Sequence, residues 1–301
     1  MKRAARAMIT GAVAALAGCI SGESGTASAP PPVFGGTGAS IRAQPDEMPL
    51  PPESAAKKLD GPCATPSRAV GTALIDDFED GDNHMFVAFQ RDGYWWTATD
   101  ATDGAAVFPP VGKFAPDRLP PGEATRGNLF AAHFKAAGQH DWGAVWGVSL
   151  QWSNQGIKCP LDVSPFGGLK FRAKGPGAMR VEFVMPETQA TEHGGTCTTG
   201  CYDFHGTVVF LEDHWADYVV PFDKLQQGAW GAQARFDPTR IIGLSFSVKP
   251  KALPIDVWID DLAFVTAKET AVLVAAQRTQ PTTLKAPSEV AVPSGKPSPS
   301  L

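Results

Sequence analysis

The chain has 301 residues and a formal net charge of −5, from 26 basic and 31 acidic side chains. The basic side chains are scattered and form no patch, so the sequence predicts no nucleic-acid binding, which requires a concentrated positive surface. Residues 71–266 carry nearly all the aromatic side chains and are long enough for one domain with a sizeable core.

The first 18 residues are predicted to be a lipoprotein signal peptide. A basic start precedes an apolar stretch, residues 7–17, that is too short to cross a bilayer. The stretch ends in Leu-Ala-Gly-Cys19, which resembles the lipobox of bacterial lipoproteins. The resemblance implies export, lipidation of Cys19 and anchoring in the cell envelope, and Ile20 in the next position implies the outer membrane. An ordinary cleaved signal peptide with an accidental cysteine is the alternative.

The segments on either side of the central domain have biased compositions. Residues 19–70 are rich in glycine, serine, alanine and proline and are predicted to form a disordered linker between membrane and domain. Residues 267–301, rich in proline, serine and alanine, are predicted to form a second disordered tail. The domain is therefore expected to stand on a flexible stalk.

Four cysteines remain beyond the predicted lipid attachment site: Cys63, Cys159, Cys197 and Cys201. An even number in an oxidising compartment predicts two disulfides, for which four cysteines allow about three pairings. The short spacer Thr-Thr-Gly favours Cys197–Cys201, with Cys63–Cys159 as the second bridge. A zinc site of Cys197, Cys201 and His205, with His193 as fourth ligand, is the alternative.

The central region shows the period-two alternation of half-buried strands and almost no helical pattern. Glycine and proline turns separate the strands, which favours an all-β, antiparallel β-sandwich or jelly roll. Residues 130–137 come closest to a helix but are few. The strand candidates are residues 146–152, 169–174, 180–185, 207–211, 217–220, 242–248 and 256–259.

Two short β-forming runs, residues 73–81 (ALIDDFEDG) and 255–264 (IDVWIDDLAF), set carboxylates among large apolar residues. Such an arrangement is costly unless something pairs with the charge. If the first and last strands are neighbours, Asp77, Glu79 and Asp260 converge on one hard cation, with Asp261 as the alternative to Asp260. Calcium suits this oxygen-rich set. Solvated acidic turns are the competing interpretation.

Four motifs in order resemble the galactose-binding-like jelly rolls of carbohydrate-binding modules, especially family 11, and the related CIA30-type domain of complex I assembly proteins. They are residues 76–81 (DDFEDG), 165–175 (PFGGLKFRAKG), 215–222 (WADYVVPF) and 257–262 (VWIDDL). The resemblance implies non-catalytic carbohydrate binding and a structural calcium, for which Glu79 and Asp260 match the family's positions. Residues 193–206 depart from the pattern and are predicted to be an insertion between two central strands.

Eight tryptophans suggest a saccharide site, because sugar rings stack on aromatic faces while polar neighbours bond their hydroxyls. Core packing is the alternative for each ring, and above all for Trp146, which shares one strand face with Val148 and Leu150. The residues proposed for stacking are Tyr94, Trp96, Trp142 and Trp146. Those proposed for polar contacts are Arg91, Asp92, Tyr202, Asp203 and His205.

Two further functions remain open. A cell-envelope assembly protein would present a broad apolar or charged patch to another protein. A glycoside hydrolase or polysaccharide lyase would need two suitably placed carboxylates, for which Glu182, Glu187 and Asp203 are candidates. No nucleophile elbow or zincin motif is present in the sequence, so non-catalytic binding of a polysaccharide or glycan is the favoured prediction. The sequence does not indicate an oligomeric state.

Overall fold

A computed structural model describes Cys63 and residues 67–68, 73–88, 91–152, 157–249 and 254–279. The predicted signal peptide, Cys19, most of the predicted linker and the tail beyond residue 279 lie outside these residues. Among the helices that the described residues form, none is long and apolar enough to cross a membrane.

The described residues are mostly in strands, with one α-helix, α1 (Ala267–Thr279), and 3-10 helices at Thr191–His193 and Phe222–Lys224. The strands are β1 (Ser67–Arg68), β2 (Leu74–Asp76), β3 (Trp95–Thr99), β4 (Ala106–Phe108), β5 (Asp117–Arg118), β6 (Phe130–Ala137), β7 (Ala144–Ser149), β8 (Leu161–Asp162), β9 (Gly168–Lys174), β10 (Gly177–Val184), β11 (His205–Leu211), β12 (Ala216–Pro221), β13 (Gly243–Val248) and β14 (Ile255–Val265).

These strands form two main antiparallel sheets. The five-stranded sheet has the order β11-β10-β13-β7-β3. The seven-stranded sheet has the order β12-β9-β14-β6-β4, with β2 paired to β14 and β5 paired to β6. Strands β1 and β8 form a separate parallel pair. The antiparallel β-sandwich predicted from the strand pattern is confirmed.

The core lies between the two sheets and is formed by every second residue of their strands. In the five-stranded sheet, Val148 lies opposite Leu244 and Trp146 lies opposite Phe246. Phe134, from β6 of the other sheet, stacks on Trp146 with ring centroids 4.7 Å apart. Large apolar side chains from both sheets therefore fill the layer between them.

A buried hydrogen bond joins the two sheets. Trp95 in β3 donates its indole N–H to the carboxylate of Asp76 in β2 over 2.6 Å. Burial is the main cause that raises the pKa of Asp76 to about 8. Because successive side chains of a strand point to opposite faces, the inward direction of Trp95 places Tyr94 and Trp96 on the outside.

The strands that carry the two acidic motifs, β2 and β14, are neighbours, as the motifs predict. Asp76 in β2 lies opposite Leu262 in β14. The register of β14 against β9 shifts between Asp260 and Ala263, and Asp261 has a φ of 51°. This bulge re-aims the two aspartates of the closing motif relative to a regular strand.

Both favoured disulfides are present. Cys63 and Cys159 are bonded with a Cα–Cα distance of 5.4 Å, and Cys197 and Cys201 with a distance of 5.7 Å. The pairing of Cys197 with Cys201 leaves no thiolates for the alternative zinc site. The insertion between β10 and β11 is thus closed by a bridge within itself.

Two local features differ from the sequence pattern. Residues 130–137, whose short helix-like pattern is too brief to predict a helix, form strand β6, whose alternate residues Ala132 and Phe134 enter the core. The predicted disordered tail instead begins with helix α1. Thr266 caps this helix: its hydroxyl accepts the backbone N–H of Glu269, and the Glu269 carboxylate accepts the N–H of Thr266. This is a capping box, which stabilises the first turn of a helix.

Candidate functional site

One row of residues crosses the outer face of the five-stranded sheet. In register from edge to edge, it contains Gly206, Glu182, Ser245, Gly147 and Trp96. Glycine and serine occupy the middle of the row, whereas larger side chains stand on both sides. The row therefore combines a flat backbone floor with an aromatic group on one side and charged groups on the other.

Trp96 lies directly on the floor of this face. A Cβ atom added to Gly147 would stand 2.2 Å from Cζ2 of Trp96, so no larger residue fits beneath the indole. The ammonium of Lys158 stands 5.8 Å from the ring centroids of both Trp96 and Trp152. Burial lowers the pKa of Lys158. The half-buried indole of Trp96 is thus held in one position by backbone and by a cation–π contact.

Arg180 and Glu182 form a charged pair on β10. The Nε of Arg180 donates to Glu182 over 3.0 Å, and the hydroxyl of Ser245 donates to the same carboxylate over 3.0 Å. The guanidinium also donates to the backbone carbonyls of Phe204 and Gln226, at 3.2 and 2.5 Å. Burial raises the pKa of Glu182, and the attraction of Arg180 opposes this rise.

The next row of the same face is open to solvent. It contains Val208, Arg180, Ser247 and Val145 in register. Phe210 follows two residues after Val208 on the same side of β11 and is 77% exposed. The sequence interpretation missed Phe210, although Thr207–Leu211 alternates and therefore separates Phe210 from the core-facing residues.

Trp142 lies just before β7 and is exposed. Its loop is held by the buried carboxylate of Asp100, which accepts the backbone N–H groups of Asp141 and Gly143 at 3.0 and 2.9 Å. The loop is therefore ordered although the indole has few neighbours. Contact between Trp142 and a sugar stays a prediction.

Tyr94 shares the outer side of the sheet with Trp96. Its ring packs against His84, with centroids 4.1 Å apart, and meets Trp152 edge-on at 6.4 Å. Both Tyr94 and Trp96 are partly exposed, which is compatible with the stacking role predicted for them.

Three of the proposed ligand-binding residues lie where they cannot reach a surface ligand. Trp146 is fully buried between the sheets, and its indole N–H donates to the carbonyl of Phe108 over 3.0 Å. Arg91 and Asp92 are also buried, and Asp92 accepts the backbone N–H of Trp152. Arg91 and Asp92 are close to Tyr94 in the sequence, but their side chains are buried, whereas Tyr94 is partly exposed.

Asp203 and His205 are buried as well, so neither side chain lies at the described surface, and their predicted polar contacts with a ligand stay a prediction. His205 faces the core side of β11 opposite Phe183, and its ring lies 5.5 Å from that of Phe236. Asp203 bonds backbone groups of the loop after β12. Only Tyr202 of this predicted trio is exposed.

The predicted calcium ligands are partly gathered. Glu79 accepts the backbone N–H groups of Leu129 and Phe130 at 2.8 and 2.9 Å, and Asp260 accepts the side-chain N–H of the adjacent Asn128 at 2.9 Å. Asp77 instead accepts the N–H of Glu79. Within the described part of the chain, no three His, Cys, Asp or Glu side chains form a group able to hold a metal.

The charge at Asp260 nevertheless favours a cation. Burial is the main cause that raises the pKa of Asp260 to about 6, and the neighbouring Asp261 adds to the effect. A bound cation would stabilise the ionised form. Glu79 and Asp260, whose carboxylates both bond the segment 128–130, suit calcium only if backbone carbonyls or water complete the coordination shell of the ion, as calcium accepts.

Two of the three carboxylates named for catalysis are paired with a cation. Glu182 bonds Arg180, and Glu187 lies 2.6 Å from Arg240. Asp203 is buried and bonded to backbone. The hydrolase or lyase alternative stays a prediction, with no residue pair in the described chain singled out for it.

Comparisons with known proteins give glycan-related similarities. No protein-family model matches the chain. It is 27% identical over 219 residues to endoglucanase 3 of Fibrobacter succinogenes, an alignment that covers 70% of this chain and 29% of the endoglucanase. The chain thus spans less than a third of that relative's length.

Solved structures with a similar fold include modules of the family that the sequence motifs resemble. A family 11 carbohydrate-binding module of Clostridium thermocellum, in complex with a β-1,3-1,4-mixed-linked tetrasaccharide, is 17% identical with a TM-score of 0.40; the match covers 66% of this chain and 98% of the module. A family 30 module of a cellulosomal cellulase of Clostridium thermocellum is 18% identical with a TM-score of 0.40, covering 66% and 99%.

The buried position of Glu182 predicts a specific pH dependence of stability. Its folded pKa lies above the ordinary value of 4.5, so the folded chain binds this proton more tightly than the unfolded chain does. The contribution to the free energy of unfolding is therefore largest at low pH and falls as the pH rises from 4.5 through the folded pKa. Glu182→Gln removes the titration and should flatten this fall, measured by urea unfolding between about pH 4.5 and 8.

The matched control is Glu212→Gln, which changes an exposed carboxyl and should keep the wild-type slope. Parallel pH profiles for wild type and Glu182→Gln would contradict the assignment.

Proposed function

We propose that the domain binds carbohydrate without catalysis, through the outer face of its five-stranded sheet. The observation that carries the proposal is the position of Trp96, which lies against Gly147 in the same cross-strand row as Ser245 and Glu182. The indole offers an apolar surface to a sugar ring, and the partly exposed Arg180 and Ser247 of the neighbouring row offer polar groups to its hydroxyls.

Preorganisation supports this role. The Trp96 ring is held by Gly147 and Lys158, and the Arg180 guanidinium donates to three acceptors in the described chain: the Glu182 carboxylate and the carbonyls of Phe204 and Gln226. A ligand that meets fixed groups loses less free energy to side-chain ordering than one that must arrange them. Phe210 extends the same face on β11.

The identity of the glycan is suggested only by the relatives. An endoglucanase is named for action on a glucan chain, and one module of similar fold carries a mixed-linked tetrasaccharide. We therefore take a β-linked glucan as the first ligand to test. An envelope-assembly role is the outcome favoured if no glycan binds.

We also propose that a calcium ion binds beside Glu79 and Asp260, and that the chain is exported and anchored at the outer membrane through Cys19. The calcium proposal is supported by the Glu79 and Asp260 carboxylates, which bond the adjacent residues Leu129 and Asn128, and by the raised pKa of Asp260. The anchoring proposal is supported by the basic start, the short apolar stretch and the Leu-Ala-Gly-Cys motif.

Trp96→Ala should weaken binding to soluble β-1,3-1,4-glucan by about tenfold or more, because the only stacking surface over Gly147 is removed. The measurement is affinity electrophoresis of the folded chain in gels with and without the glucan, alongside xylan and a cellulose derivative.

Trp215→Ala is the matched control, since Trp215 lies with Arg172 and Lys174 of the other sheet. It should keep wild-type retardation. If the wild-type chain is retarded by none of the polysaccharides, carbohydrate binding of this class is refuted. Equal losses in both variants would refute the placement on this face.

Removal of calcium should lower the melting temperature by several degrees. An ion present at 100 times its Kd stabilises the folded state by about 2.7 kcal/mol, and each kcal/mol shifts the melting temperature of a domain this size by roughly 2–4 °C. Asp260→Asn should abolish the difference between calcium and excess chelator, whereas Asp213→Asn, at an exposed site, should retain it. Identical melting curves for metal-free and calcium-loaded wild type would refute the site.

Lipid anchoring predicts that Cys19 becomes the modified N-terminal residue when the full chain is made in a Gram-negative bacterium. Mass spectrometry of the N-terminal peptide should show the lipid mass, and Cys19→Ala should release the protein from the membrane fraction. Ser21→Ala, two positions later, should stay in that fraction. An unmodified N-terminus elsewhere would support an ordinary signal peptide instead.

A further inference from the structure

Two loops on the far side of β11 pack backbone to backbone. The carbonyl of Gly200, in the disulfide-closed insertion, accepts the backbone N–H of Ala232 over 2.6 Å. A Cβ atom added to Gly231 would lie 2.4 Å from that same carbonyl oxygen. Contacts this close leave no room for side chains between the loops, so their relative position is fixed by backbone.

The buried carboxylate of Asp203 organises the second loop. It is only 2% exposed and accepts the backbone N–H groups of Gly228, Trp230 and Gly231 at 2.6, 3.1 and 3.1 Å. The side-chain amide of Gln227 donates to the carbonyl of Asp203 over 2.6 Å. Bonds from a carboxylate to backbone N–H groups are among the stronger ones, so this loop is unusually well defined.

The ordered loops display two aromatic side chains to solvent. Trp230 is 66% exposed, and its indole lies against Gly228, where an added Cβ would stand 2.6 Å from Cδ1 of the ring. Tyr202 is 42% exposed and donates its hydroxyl to Glu192 over 3.2 Å. A tryptophan rests on a glycine here as Trp96 rests on Gly147. The ordered backbone therefore holds a large apolar ring in solvent, and Trp230 belongs to none of the hydrophobic clusters formed by the described residues.

We infer that this surface, residues 198–202 with 226–233, is a second carbohydrate-binding platform, on which Trp230 stacks against a neutral sugar ring and Tyr202 lies alongside. We call it the loop platform. The inference takes its class of ligand from the proposed function but concerns a different surface.

The chemistry around Trp230 favours a neutral glycan over a protein partner. Residues 226–233 contain only glycine, alanine, glutamine and the tryptophan, with no charged side chain. Amide groups bond sugar hydroxyls, whereas a specific protein interface needs roughly 800 Å² from each partner, far more than two separated rings supply.

The loop platform lies across the sheet from Trp96. Gln226 pairs with Gly206 at the β11 edge, and five strand spacings, about 24 Å, separate it from β3. A long polysaccharide reaches both surfaces, so binding at one raises the effective concentration of the chain at the other. A short oligosaccharide does not gain this advantage.

The test uses the folded chain with soluble β-1,3-1,4-glucan and with its tetrasaccharide. Trp230→Ala should weaken binding to the polymer by about tenfold, and Trp230→Phe should restore part of the loss because a stacking ring returns. Val272→Ala, at an exposed apolar residue of α1, is the control and should bind as wild type. In ¹⁵N-labelled Trp96→Ala chain, the indole N–H signal of Trp230 should still shift on addition of the tetrasaccharide.

The outcomes separate this inference from the proposed function. The loop platform alone is overturned by three results together: Trp96→Ala loses binding, Trp230→Ala binds fully, and the Trp230 indole signal does not shift when the tetrasaccharide is added to the labelled Trp96→Ala chain. Loss in Trp230→Ala with full binding in Trp96→Ala supports the loop platform and overturns the sheet face. Absence of glucan binding by the wild-type chain overturns both. Melting curves of each variant exclude unfolding as the cause.

Discussion

The hydrogen bond between Trp95 and Asp76 is the contact on which the geometry of the candidate site depends. It joins β3 of one sheet to β2 of the other inside the core, at 2.6 Å, and Trp95 also stacks on Phe114 with ring centroids 5.2 Å apart. Since side chains alternate along a strand, fixing Trp95 inward fixes Trp96 outward. A shift of one residue in β3 would turn Trp96 into the core and Trp95 toward solvent. The buried carboxyl of Asp76 would then lose the indole N–H of Trp95 as a donor, which costs free energy.

Glycine serves the same purpose at both proposed surfaces. Gly147 and Gly228 each allow an indole to lie against backbone, where any Cβ would collide with the ring. A tryptophan whose indole packs against backbone has few accessible rotamers in the unbound protein, so less side-chain entropy is lost when a ligand binds. The glycine is therefore as much a part of each surface as the aromatic residue it supports.

The sequence predicts the sandwich, both disulfides and the adjacency of the first and last strands, because alternation, cysteine spacing and paired acidic motifs are local signals. It does not predict that Asp203 and His205 are buried, since their neighbours, Gly228 and Phe236, come from a distant loop. The same applies to Trp146, where alternation gives two faces but does not say which is inside. The composition of residues 267–301 predicts disorder, whereas Thr266 and Glu269 have the spacing of a capping box, the local signal for helix α1.

The two disulfides, which need the oxidising compartment that the predicted export implies, each lie close in the sequence to one of the proposed surfaces. Cys159 follows Lys158, whose ammonium stands over Trp96, and Gly194 of the insertion packs against the stem of the same lysine. Cys201 follows Gly200, the backbone contact that sets the second loop beside Tyr202. Each bridge thus fixes the chain next to one aromatic surface rather than deep in the core. A compartment that keeps cysteines reduced would leave the sandwich its apolar layer but loosen the segments that hold both tryptophans, so oxidation and the binding geometry belong together.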